Sequence, residues 1–129
     1  IAKLEKYFII RSTKTAAQLM GKDYKMNIEK YKLMFPNIKL PTGKAARSAT
    51  GNLTKVFKWF FENYEFTWEE VFNATAVYVN EGQAKDWKFV RTSQYFVRKD
   101  NMSDLADFCE VIKTDGYEEM KHLIKTKVV

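Results

Sequence analysis

One stretch constrains the fold more than any other. Between about Ala45 and Tyr64, the apolar residues Leu53, Val56, Phe57, Phe60, Phe61 and Tyr64 recur three and four positions apart. That spacing places them on a single stripe of an α-helix and on both faces of a strand, so it selects the helix. Thr67-Trp68-Glu69-Glu70 follows directly. A Thr with a Glu three residues later forms a capping box, in which hydroxyl and carboxylate satisfy orphan amides reciprocally. A second helix is therefore predicted from Trp68, with Trp68, Val71, Phe72, Thr75 and Val79 inward and Gly82 placed to end it.

The same period runs through the rest of the chain. Thr13 or Thr15 caps a short helix that runs to Met20 and stops at Gly21, and Asn27 caps Ile28–Met34, whose stripe is Ile28, Tyr31 and Phe35. Pro36 ends that helix, because proline cannot continue it. Ser93–Lys99 is predicted as a short helix, and Ser103 caps Asp104–Ile112. Ile1–Ile10 reads as helical, with a strand over Tyr7–Ile10 as the alternative, and a last segment is expected at Tyr117–Thr126. Both prolines and a glycine fall within Phe35–Gly43, which makes it the loop between subregions. The expected architecture is all-α: one compact domain, residues 1–129, of about six mostly short helices.

Charge divides this domain. Residues 1–60 hold thirteen Lys or Arg against three Asp or Glu, a net +10, whereas residues 61–129 hold nine against thirteen, a net −4. The subregions are thus a basic one at 1–58 and an acidic, aromatic-rich one at 59–129. Such polarity orients a molecule toward a polyanion or an oppositely charged partner. With 46% hydrophobic residues the chain is too apolar to be a disordered polyelectrolyte. A single cysteine excludes an internal disulfide and fits a reducing compartment. With no membrane-length apolar run and no secretory signal, the expected location is the cytoplasm.

Catalytic arrangements are scarce. Gly43-Lys44-Ala45 lacks the first glycine, the hydroxyl and the preceding strand of a phosphate loop, so a helix entry is the better reading. His122 is the one histidine, which rules out a two-histidine metal site. Cys109 falls on an inner helix face and reads as core. Asp104 and Asp107 stand three apart but read as an exposed acidic face. No enzyme activity, cofactor or metal is predicted.

Binding fares better. Lys44 and Arg47, three apart at an expected helix start, would present charge beside free amides. Lys14, Lys25 and Lys39 extend the basic character, and exposed tyrosines could stack on unpaired bases, although aromatics are more often core. Ten Phe, seven Tyr and three Trp are more than one small core hides easily. Most of Trp59, Phe60, Phe61, Trp68, Phe72, Trp87, Phe89, Tyr95, Phe96 and Phe108 must be core, and any surplus exposed as a patch would mark a protein–protein contact or a self-assembly surface.

Trp59-Phe60-Phe61 with Tyr64, Thr67-Trp68-Glu69-Glu70-Val71, Ala74, Ala76, Tyr78-Val79 and Phe89-Val90-Arg91-Thr92-Ser93-Gln94-Tyr95-Phe96 together resemble a helical segment of bacteriophage proteins. It lies near the C-terminus of phage replication-initiation and replisome-organiser proteins. The likeness covers residues 59–99, about a third of the chain, and rests on hydrophobic spacing and aromatics. Those proteins usually carry a winged helix upstream, whereas residues 1–58 show no strand pair for a wing. The resemblance implies a phage origin and adds Arg91, Arg98 and Lys99 as DNA contacts beside Tyr95-Phe96. The leading expectation is a non-enzymatic phage module that binds nucleic acid, DNA first, through its basic half, accessory to replication or transcription. Two alternatives remain: an oligomerising adaptor of the virion or packaging machinery, and a factor that binds a host protein.

Overall fold

The computed structural model describes residues 14–115; the elements expected at 1–10 and 117–126 lie outside them. Six helices follow one another: α1 (Ala16–Met20), α2 (Tyr24–Met34), α3 (Thr50–Asn63), α4 (Trp68–Ala84), α5 (Ser93–Val97) and α6 (Asp104–Asp115). Among the described residues extended pairing is limited to two isolated bridges, so the fold is all-α as expected.

The capping signals do what their chemistry requires. The Thr15 Oγ1 accepts the Gln18 amide and the Gln18 Oε1 accepts the Thr15 amide, while Gly21 closes α1 at φ +93°. Thr67 and Glu70 form the same reciprocal box at α4, and the Ser103 Oγ accepts the Ala106 amide at α6. Each such cap is worth about 1 kcal/mol.

Helix α6 runs to Asp115, past the expected Ile112, and four other boundaries differ from the sequence expectation by two residues or more. Helix α2 begins at Tyr24, because the Asn27 amide bonds the Asp23 carbonyl and Asn27 is already inside the first turn. Helix α3 begins at Thr50 rather than Ala45. Residues 38–46 fold instead into a tight hairpin: the Gly43 amide donates to the Leu40 carbonyl, Leu40 to Lys44, and Ala46 to Ile38. Pro41 presets the turn, Gly43 at φ +90° supplies the left-handed residue, and the amides of 40, 43 and 46 are thereby committed. Helix α5 stops at Val97, because Lys99 and Met102 exchange backbone hydrogen bonds around Asp100, at φ +58°.

Gly82 is the fourth. Helix α4 passes it and ends in a Schellman motif, with the Trp87 amide on the Gly82 carbonyl, the Asp86 amide on that of Gln83, and Asp86 left-handed at φ +55°. Gly82 is needed for packing: a Cβ there would lie 2.3 Å from Val90 Cγ2.

Both charge subregions feed one core. Met20, Ile28, Tyr31, Phe35, Leu40, Ala46 and Leu53 come from the basic part, and Phe60, Val71, Ala74, Phe96, Val97, Leu105 and Cys109 from the acidic part. The α3 stripe buries Leu53, Val56, Phe57 and Phe60 and leaves Phe61 and Tyr64 half-buried. Each fully buried side chain of this size contributes about 1.5–3 kcal/mol. Trp68 rests on Phe57 and Phe61, at 5.0 and 4.8 Å between ring centroids, and its indole N–H donates to the Met20 carbonyl. On α4, Trp68, Phe72 and Val79 are half-buried while Ala74 and Val77 are buried; Tyr78 meets Phe108 of α6 edge-on.

Candidate nucleic-acid interface

Three segments converge on one side of α5. The 38–46 hairpin brings Thr42 and Lys44, the α4–α5 loop brings Lys88 to Thr92, and α5 with its following turn brings Tyr95 and Lys99. Together they line a cleft of about 260 Å³. Among the described residues its lining holds four cationic side chains, Lys44, Lys88, Arg91 and Lys99, and no carboxylate. A concave surface of one sign focuses its field and concentrates counter-ions. Lys44, Lys88 and Lys99 are exposed. The Lys44 and Lys99 ammonium groups lie 4.8 and 5.7 Å from the centre of the Tyr95 ring, a cation–π arrangement that holds both at this site.

The cleft is fastened from below by polar bonds. The Ser93 amide donates to the Ala46 carbonyl, the Ser48 amide to Ser93 Oγ, and the Gln94 amide to Ser48 Oγ. Tyr31, fully buried on α2, donates its hydroxyl to the Ser93 carbonyl at 2.6 Å. Burial pushes the Tyr31 phenol well above its ordinary value, so it stays a donor. On the opposite wall the Arg91 amide donates to the Tyr78 hydroxyl, and the Arg91 Nε sits 2.6 Å from Asp104 Oδ2. That half-buried pair adds about 1 kcal/mol and fixes where the guanidinium points. Beyond Arg91 the surface continues into a recess of about 210 Å³, lined by Arg91, Lys99, Asp100, Met102 and Asp104, where carboxylates end the basic stretch.

Of the eight basic residues singled out from the sequence, the structure brings Lys44, Arg91 and Lys99 together. Lys14 and Lys25 are exposed elsewhere, and Lys39 is exposed across from Ala45, none of them lining the cleft. Arg47 corrects its expectation. It is not on a helix start beside free amides; its Nε and Nη2 donate to the carbonyls of Phe35 and Leu33 at the end of α2. Orphan carbonyls and the negative helix end both favour a cation there. Arg98 stacks 4.4 Å from the centre of the Trp59 ring and donates to the Asp100 carbonyl and Asn101 Oδ1.

The sequence reading missed Lys88 as a cleft cation and did not single out Phe89. Phe89 is 80% exposed, the only exposed aromatic side chain among the described residues. The signal was the surplus of aromatics; which of them stays outside depends on the Asp86-Trp87 backbone. Cys109 is buried as expected, its thiol pushed up to about 12 by desolvation, and it donates toward the Glu70 carbonyl. Among the described residues no group of three or more His, Cys, Asp or Glu is placed to hold a metal ion, and no helix is long and apolar enough to cross a membrane. No protein-family model matches the chain, nor does any curated protein or solved structure.

Proposed function

We propose that this domain is a non-enzymatic nucleic-acid-binding module whose contact surface is the cleft of Lys44, Lys88, Arg91 and Lys99. One observation carries the reading: residues 44, 88, 91 and 99, far apart in sequence, share one concave lining free of carboxylates among the described residues. Phosphates neutralised there release counterions. Three to four contacts to a single strand correspond to a slope of log K against log salt of about −2 to −3, or about a 20- to 50-fold loss from 50 to 200 mM salt. The likeness of residues 59–99 to a phage replication segment supports a role accessory to phage replication or transcription, in the host cytoplasm. Fluorescence anisotropy of labelled DNA and RNA oligonucleotides across that salt range tests the reading. No binding at 50 mM salt refutes it.

A second reading, an adaptor of the virion or packaging machinery, draws on a different face. Met26 and Leu33, 66% and 61% exposed, stand seven residues apart on α2 and so share one side of it. Exposed apolar pairs of this kind suit a protein contact. Light scattering that finds a monomer at every concentration and salt contradicts this second reading.

A further inference from the structure

We infer that the cleft takes unpaired nucleic acid, with Phe89 as the platform on which a base stacks; this rests on the nucleic-acid reading above. Three observations lead here. Phe89 is 80% exposed and lines the same cleft as Lys44 and Lys99. Leaving a phenylalanine in water forgoes most of the stabilisation its burial would contribute.

The backbone holds it there. Asp86 and Trp87 are both left-handed, at φ +55° and +63°, a conformation that Asp tolerates at a helix end and that is costly for a side chain as bulky as Trp. Trp87 and Val90 then pack against the bare backbone of Gly82, with Val90 only 6% exposed. Anchored on both sides, the Lys88-Phe89 pair stands out from the surface beside the other cations. Local strain of this kind collects at functional sites.

Shape and chemistry then choose the strand state. The cations line a recess of about 260 Å³, which a flexible strand can enter one unit at a time. A duplex is stiff over about 50 nm and keeps its base faces covered. An exposed ring next to phosphate-binding lysines fits a base face that is open, as in single-strand binders. Tyr95 is less suited, because two ammonium groups already lie over its ring.

The test compares three probes with wild type, Phe89→Ala and Phe89→Trp: a labelled oligothymidine, the same strand annealed to its complement, and inorganic polyphosphate, which has charge but no bases. Wild type is expected to prefer oligothymidine to the duplex. Phe89→Ala should lower the selectivity for oligothymidine over polyphosphate by about 5- to 150-fold, the range one stacked base is worth, and Phe89→Trp should restore it. Selectivity unchanged in Phe89→Ala, or a wild type that prefers the duplex, overturns this inference and leaves the basic cleft as a nucleic-acid site. Binding to polyphosphate alone, or to none of the three, overturns the nucleic-acid reading itself.

Discussion

Gly82 joins the packing of α4 to the shape of the cleft, and replacing it with alanine has a calculable outcome. In an open helix the change stabilises by up to about 1 kcal/mol, because glycine loses more backbone entropy. Here the new Cβ would sit 2.3 Å from Val90 Cγ2 and 3.2–3.3 Å from the Trp87 ring. Ordinary contact begins near 3.4 Å, so Val90 has to retreat by about 1.1 Å. Val90 is buried and stiff at χ1, which leaves backbone movement as the main outlet. Overpacking of this sort costs about 1–3 kcal/mol. Net of the full helix gain, Gly82→Ala is expected to be up to about 2 kcal/mol less stable, a fall in Tm of roughly 4 °C per kcal/mol. Gly51→Ala in α3 is the control, since nothing lies within 4 Å of its new methyl group. It should hold or raise Tm. Thermal unfolding of both by circular dichroism decides the matter: a Gly82→Ala protein as stable as Gly51→Ala refutes the packing argument.

Two further outcomes follow from the buried thiol and from Arg47. The Cys109 thiol titrates near 12 in the fold against 9.0 ordinarily, so above pH 9 the unfolded chain loses a proton that the folded one keeps. Its stabilising effect is whole below pH 9 and is lost as pH rises toward 12. From pH 9 to 10 wild type should lose about 1 kcal/mol more stability than Cys109→Ala in urea titrations; parallel losses would contradict the burial of the thiol. Arg47→Ala should lower Tm by a few degrees, the effect of about 1 kcal/mol for a partly exposed cap, and leave the salt slope of oligonucleotide binding unchanged. A slope that falls as far as in Lys44→Glu would return Arg47 to the binding surface.

The helices were legible because their causes are local. The Thr15 and Thr67 caps, the Ile28–Tyr31–Phe35 stripe and the Pro36 stop act within a few residues of themselves. The start of α3 was not legible, because residues 44–46 are claimed by residues 38–40 across the turn and by Ser93 beyond it. Arg47 was misplaced for the same reason: its partners, Leu33 and Phe35, come close only once α2 and the hairpin have packed. Charge counts located the basic half, but the cleft draws Lys88, Arg91 and Lys99 from the acidic one. Phe89 was among the surplus aromatics. What keeps it outside, two left-handed residues without glycine, leaves no mark in composition or periodicity.

We propose that the cleft, and not the overall positive charge, carries nucleic-acid binding. The most direct test pairs Lys44→Glu/Lys99→Glu with Lys22→Glu/Lys25→Glu, which changes net charge equally at exposed positions that do not line the cleft. Salt-titrated anisotropy with one single-stranded oligonucleotide should show the slope of the cleft variant falling by about 1.4, two single-strand contacts' worth, while the control keeps the wild-type slope. Equal losses in the two variants would show that binding follows net charge and would contradict a role for the cleft.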